Sequence, residues 1–334
     1  MSKISVAMAT YNGEKYIKRQ LDSILNQTLK PDEVIIIDDK SSDGTVELID
    51  KYITENKLTQ WKLFVNEKNI GYKRNFYNAL KKVTGEIVFL SDQDDEWHID
   101  KIEIMMKLLK EKNEIKALSS AVNLIDGLSE KITQKTERNY YNSNFLYLDH
   151  IPQYIEYFDM VYIALHNVSP GCTMAIRKEI VDIFLRIYNF KLPHDWFINL
   201  IASAYGGCAY VNDALIDYRK HENNAIGAST SPIIGILNKN REIRIDDYIS
   251  RNDSIKKVLN VININSYKEL EQVMLLNDNM IDFYKKPNPI KLIKLRRNSL
   301  YFQLAKRKVQ IWEILVSFGL DRIIIKLLEK HFET

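Results

Sequence analysis

Along residues 1 to 125, short apolar runs alternate with stretches whose apolar positions recur every three or four residues. Ile4 to Ala9 reads as a strand, and Glu14 to Gln27 brings Tyr16, Ile17, Leu21, Ile24 and Leu25 near one helical face. Glu33 to Ile37 is a second strand, entered after Pro31, and Gly44-Thr45 opens a helix carrying Val46, Leu48, Ile49, Tyr52 and Ile53. Trp61 to Val65 is a third strand, Gly71 to Val83 a third helix, Glu86 to Leu90 a fourth strand and Ile99 to Leu109 a further helix. The strand cores Val34-Ile35-Ile36-Ile37 and Ile87-Val88-Phe89-Leu90 show no polar alternation, as strands covered on both faces require. The pattern predicts a parallel sheet of βαβ units, an α/β domain of the doubly wound type. Beyond Gly227 it turns helical, with no buried-strand signature.

In such sheets ligands sit beyond the carboxyl ends of the strands, so the residues that follow each strand are the first place to look for chemistry. The first strand runs into Thr10-Tyr11-Asn12-Gly13, the second into Asp38-Asp39-Lys40-Ser41-Ser42-Asp43-Gly44, and the fourth into Ser91-Asp92-Gln93-Asp94-Asp95. Asp38, Asp39, Asp92, Asp94 and Asp95 on one rim repel one another unless a cation or hydrogen-bond donors offset them, which points to a divalent metal. Asp38, Asp39 and Asp43 also suit a turn that caps the next helix.

These motifs, in this order and spacing, resemble those of the family 2 glycosyltransferases, over residues 3 to 227. The Ser91-Asp92-Gln93-Asp94-Asp95 form, with Pro193-His194-Asp195-Trp196 and Tyr218-Arg219-Lys220-His221-Glu222-Asn223-Asn224, is similar to the bacterial rhamnosyltransferase-like members. The resemblance implies a GT-A nucleotide-sugar-binding fold, Rossmann-like and mostly parallel, with a helical C-terminal extension. By the same resemblance Asp39, with Asp38, accepts from N3–H of a uracil or thymine while Thr10 and Tyr11 pack on the base. Asp92-Gln93-Asp94 takes the DxD position: Asp94 ligates Mg²⁺ or Mn²⁺, Asp92 contacts the ribose or the metal through water, and Asp95 supports the loop or the acceptor side. Gly171 and Cys172, in Ser169-Pro170-Gly171-Cys172-Thr173, line the donor sugar. Asp195, at a helix start, is the base, and His194 and Trp196 flank it. His221 completes the metal or diphosphate site, with Asn223, Asn224 and Gly227 in the loop that follows. Lys73 and Arg74 open a helix whose N-terminus suits a phosphate, although a solvated face explains them equally. Tyr140, Tyr141, Tyr147, Tyr154, Tyr157, Phe158 and Tyr162 suit either an acceptor groove or core packing.

Composition narrows this further. The chain has 334 residues, 46% hydrophobic and 27% charged, which excludes collagen-like and disordered classes and leaves room for two domains. The expected division is a catalytic domain over 1–227, with a nucleotide half to about 125, and a helical region over 228–334. Cys172 and Cys208 stand singly, with no zinc or disulfide pattern. Neither a signal peptide nor a membrane span is expected. Of the net charge of +3, residues 285 to 334 carry twelve Lys and Arg against four acids, so the body before them is mildly acidic. That basic, amphipathic tail suits an anionic membrane surface, packing on the catalytic domain, or a homodimer, and nucleic acid ranks below these. The expected enzyme is a metal-dependent, inverting transferase on the cytoplasmic side, moving a sugar from a dTDP- or UDP-sugar donor to a glycan or lipid-linked acceptor. A nucleotidyltransferase and a catalytically silent nucleotide-sugar-binding partner are the rival readings.

Overall fold

The computed structural model describes residues 2–133, 139–142, 145–221, 241–262, 268–305, 307–321 and 323–324. Contacts divide the chain into two units, one of residues up to 163 with 167–221, the other of 164–166 with the residues after 221.

The first unit is a mixed sheet with helices on both faces. It opens as β1 (Ile4–Thr10), α1 (Ile17–Leu25), β2 (Glu33–Asp38), α2 (Thr45–Glu55), β3 (Trp61–Val65), α3 (Tyr72–Leu80), β4 (Ile87–Ser91), β5 (Glu96–Trp97) and α4 (Lys101–Glu111). β2 and β4 are buried at every position, whereas β3 is exposed or half-buried after Trp61, which is the burial expected of central and edge strands. The chain continues through β6 (Ala117–Ile125), the short pair β7 (Tyr140–Tyr141) and β8 (Leu146–Tyr147), β9 (Ile155–Phe158) and α5 (Met160–Leu165). A 3₁₀ turn at Gly171–Thr173, β10 (Ala175–Arg177), α6 (Lys178–Ile187), α7 (His194–Ala204) and β11 (Cys208–Arg219) complete it.

The strand order is β3-β2-β1-β4-β10-β6-β11-β5, with β9 also on β11. β1, β2, β3 and β4 are parallel, as the pattern predicts. β10 then runs antiparallel between β4 and β6, and β11 lies parallel to β6. The chain winds from β1 outward to β3 and then returns to place β4 on the other side of β1. This reversal opens a crevice at the carboxyl ends of β1 and β4, where the loops Thr10–Gly13 and Ser91–Asp95 emerge.

In the second unit the helices Arg241–Ile262, Lys268–Lys285, Pro289–Arg296, Ser299–Leu304 and Arg307–Ser317 close on a core that includes Leu276, Met280, Phe283, Tyr284, Tyr301, Trp312 and Val316. Glu313 is buried inside it and accepts from the Tyr284 hydroxyl at 3.0 Å and from Tyr301. No helix among the described residues is long and apolar enough to cross a membrane. Asn223, Asn224, Gly227 and the tail beyond Ile324 lie outside the described residues.

Candidate active site

The loops after β1 and β2 are built around two buried aspartates with different surroundings. Asp38 is fully buried: Oδ1 accepts from the Ser41 N–H at 2.7 Å, and Oδ2 accepts from Thr10 Oγ1 at 2.8 Å and Ser41 Oγ at 2.6 Å. Its carboxylate ties the two loops together. Asp39 holds the approach to α3: Oδ1 accepts from Asn66 Nδ2 and the Ile70 N–H, both at 2.9 Å, and Oδ2 accepts from the Gly71 N–H at 2.8 Å. Gly71 adopts φ 83°, a conformation that favours glycine. A carboxylate has about four acceptor sites, so Oδ2 of Asp39 keeps room for one further donor. Tyr11 is 45% exposed beside this pair. Asp43 binds the Thr45 N–H at 3.1 Å and the Glu14 N–H at 3.2 Å, which anchors the start of α2.

The loop after β4 carries the acidic rim. Asp94 Oδ2 lies 2.7 Å from His221 Nε2, and both side chains are partly open to solvent. Behind them, Asp92, Asp95 and Cys172 present donor atoms all within 4.8 Å of one another. Burial, then the charges of Asp94 and Asp195, push Asp92 up to about 7. Burial, then the charges of Asp94 and Asp92, push Asp95 well above the usual carboxylate range. Asp95 Oδ1 accepts from the Arg219 N–H at 3.0 Å, while the buried Oδ2 has no hydrogen-bond partner among the described residues. Lys101, fully buried, donates to the Cys172 carbonyl at 2.6 Å and lies 3.9 Å from the Trp97 ring centroid. Burial lowers its ammonium to about 7. An orphaned carboxylate oxygen, repelling acids and an imidazole at the rim form a donor set that suits Mg²⁺ or Mn²⁺.

Asp195 faces the rim from the first turn of α7. Its Oδ2 accepts from Asn167 Nδ2 at 2.8 Å, and Asn199 Nδ2 in turn donates to Asn167 Oδ1 at 3.0 Å. Burial raises the Asp195 carboxyl to about 6. Burial, then the charges of Asp195 and Asp92, push Tyr72 up to about 12. His194 is buried and stacked on Phe76 with ring centroids 4.0 Å apart, and neither ring nitrogen has a partner among the described residues. Burial, then the charge of Lys73, lowers it to about 3, so the ring is neutral and packed. Gly171 makes this fit possible, because a Cβ there would stand 2.8 Å from His194 Nε2 and 3.3 Å from Asp195 Cβ. Trp196 Nε1 donates to the Ile163 carbonyl at 2.6 Å. The structure thus brings Thr10, Asp38 and Asp39 together on one side, Asp92, Asp94, Asp95, Cys172 and His221 in the middle, and Gly171, His194 and Asp195 on the other.

The family model for glycosyl transferase family 2 matches residues 5–184. A dTDP-rhamnosyl transferase of Shigella flexneri, RfbG, is 33% identical over 67% of this chain and 75% of its own length. The chain belongs to glycosyl transferase family 2. A Bacillus subtilis glycosyltransferase assigned to teichuronic acid biosynthesis, TuaG, is 28% identical over 68% of the chain and 82% of its own length. Among solved structures, Staphylococcus aureus TarS 1–349 in complex with UDP superposes with a TM-score of 0.57 at 17% identity, covering 99% of this chain and 91% of that one. A Pyrobaculum calidifontis mannosyltransferase with GDP-Man and Mn²⁺ gives 0.51 at 15% identity, covering 98% of this chain and 88% of that one. These likenesses identify the fold of this glycosyltransferase as GT-A.

Several supporting residues of the glycosyltransferase site are given no role by the motifs, among them Arg219, which lies inside Tyr218-Arg219-Lys220-His221. Arg219, fully buried, donates from Nε to the Asp94 carbonyl at 2.7 Å, from Nη1 to the Asp126 carbonyl at 2.6 Å and from Nη2 to Glu96, so it holds the acidic loop from below. The register of β11 against β6 shifts twice before Arg219, and such irregularities re-aim side chains at sheet ends. Asn167, Asn199, Lys101 and Asn66 stand in sequence positions that nothing local distinguishes. Lys73 Nζ donates to the Phe190 and Lys191 carbonyls at 3.1 and 2.8 Å, and the Arg74 guanidinium lies 4.4 Å from the Phe190 ring centroid. Of the aromatic insertion, Tyr140 pairs with Tyr147 and Phe158 with Tyr162, while Tyr154 and Tyr157 are exposed.

Proposed function

We propose that this glycosyltransferase moves a sugar, with inversion, from a pyrimidine nucleoside diphosphate donor to a hydroxyl of a glycan or lipid-linked acceptor in cell-surface polysaccharide synthesis. The observation that carries the reading is the pairing of a buried carboxylate, Asp195, raised to about 6, with the acidic rim across the crevice. A general base works best when its own pKa lies near the working pH, and this one stands next to the turn at Gly171. The acceptor O–H gives its proton to Asp195, the oxygen bonds to the anomeric carbon, and the bond from that carbon to the diphosphate breaks on the opposite face. Asp39 takes N3–H of the base through its open acceptor site, with Tyr11 against the ring. Asp94, Asp92 and His221 would hold Mg²⁺ or Mn²⁺, which supplies neutralisation of the departing diphosphate.

The dTDP-rhamnosyl transferase relative favours dTDP-L-rhamnose as donor, with UDP-hexoses next. We assign catalysis to 1–227, and to 228–334 a supporting helical region. Donor hydrolysis measured across dTDP-rhamnose, UDP-glucose, UDP-galactose, UDP-GlcNAc and GDP-mannose, each with Mn²⁺, Mg²⁺ or chelator, tests the reading. It expects turnover of a pyrimidine donor, lost with chelator and in Asp94→Ala. Turnover of the purine donor alone, or activity unmoved by chelator and by Asp94→Ala, overturns it.

A further inference from the structure

Gln93 lies between the two acids of Asp92-Gln93-Asp94, yet its amide bonds to the loop after β1. Oε1 accepts from the Tyr11 N–H at 2.7 Å and Nε2 donates to the Tyr11 carbonyl at 2.8 Å. A side-chain amide here pairs with both peptide groups of one residue, much as an adjacent strand would. Other bonds of this stretch run elsewhere: the Asn12 and Gly13 N–H groups donate to Ser41 Oγ and Thr45 Oγ1 on the β2 side, each at 2.8 Å.

Gly13 makes room for the clasp. A Cβ at Gly13 would stand 2.4 Å from Gln93 Oε1 and 2.5 Å from its Cδ. The Gly13 backbone is not among those with positive φ, so a side chain there would displace the amide and not strain the backbone. While the Tyr11 main chain is clamped, the residue stays 45% exposed.

We infer that Gln93 is a positioning residue that couples the base-binding loop to the metal-binding loop, so that a pyrimidine on Tyr11 and a divalent cation at the acidic rim each strengthen the binding of the other. The inference rests on the functional reading above for what each loop takes. Its physical basis is a shared joint: a ligand that orders either loop removes part of the conformational entropy that the second ligand must otherwise overcome. By linkage the two effects are equal in size.

A nucleoside isolates this effect, because uridine and thymidine lack the phosphates through which a cation and a nucleotide would touch directly. Calorimetric titration of the full chain with uridine or thymidine, with and without Mn²⁺, and with Mn²⁺ in the presence and absence of nucleoside, measures the coupling. The wild type is expected to show mutual tightening of about fivefold or more. In Gln93→Ala both ligands still bind and the factor falls to one. Gly13→Ala keeps the amide but displaces its flexible end, and is expected to lose the coupling in the same way. A wild-type factor of one, or a factor unchanged in both variants, overturns the inference and leaves the proposed function standing. A wild type that binds neither nucleoside nor Mn²⁺ overturns both.

Discussion

Replacing Asp195 by Asn removes the proposed base and a buried charge together, and the two effects have opposite signs. Asp195 is 7% exposed, and burial lifts its carboxyl from an ordinary 3.8 to about 6. The folded protein therefore holds this proton more tightly than the unfolded chain does. Between about pH 4 and 6 the unfolded chain has lost a proton that the folded protein retains, so stability falls as pH rises through that window. Above about pH 6 the full penalty is present, and the gap between 3.8 and about 6 corresponds to about 3 kcal/mol. Asn keeps a carbonyl for Asn167 Nδ2, carries no charge, and relieves the repulsion with Asp92. Asp195→Asn is thus expected to melt several degrees higher than the wild type at pH 7.5, with the difference vanishing near pH 4. The same change is expected to lower sugar transfer by about 10²- to 10⁴-fold, the usual contribution of a positioned base. In the wild type, transfer is expected to fall as pH drops through about 6, where the base becomes protonated. Melting curves at both pH values, paired with a product-release assay on a verified acceptor, read out each half. Full turnover by the variant refutes the base, and a melting gain that is equal at pH 4 and 7.5 refutes the buried-charge argument.

Gly171→Ala places a methyl group 2.8 Å from His194 Nε2 and 3.3 Å from Asp195 Cβ, with both residues buried. The expected cost is about 1–3 kcal/mol of stability, together with a kcat reduced about tenfold or more as the base shifts. Unchanged melting and kcat would show that the turn has slack. On helix Pro289–Arg296 the exposed residues Ile290, Ile293 and Lys294, with Arg297 just after its end, share one face by their spacing, while Lys291 pairs with Asp282 at 2.8 Å. We propose that this face rests on an anionic bilayer, each basic residue contributing about 1 kcal/mol. Co-sedimentation with phosphatidylglycerol vesicles, reduced in Lys294→Glu/Arg297→Glu, checks this, and equal sedimentation with neutral vesicles refutes it.

The sequence by itself determined the elements and the rim. Uninterrupted apolar runs at Val34–Ile37 and Ile87–Leu90 forced central, doubly covered strands, and the motifs at their ends marked the acids and the family. Local pattern suffices there because burial on both faces and turn chemistry are written in adjacent residues. Of the long strand β11 only the apolar run Ala214 to Ile216 is legible, and the full extent of β11, the strand β6 beside it and the antiparallel insertion of β10 are not: their residues mix polar and apolar positions, and only pairing over long sequence separations defines them. The tertiary structure also decided how the acids differ. Asp38 and Asp39 are neighbours in sequence, yet one ties Thr10 to Ser41 while the other binds Asn66 and the Ile70 and Gly71 N–H groups ahead of α3. Asp92 and Asp95 acquire raised pKa values from burial and the charges of neighbouring acids, and Asp195 from burial, which depend on how loops meet and not on residue type. Asn167 and Lys101 support these groups from positions without any motif, and Arg219 from inside a motif that gives it no role, because a support is specified by what it reaches across the fold.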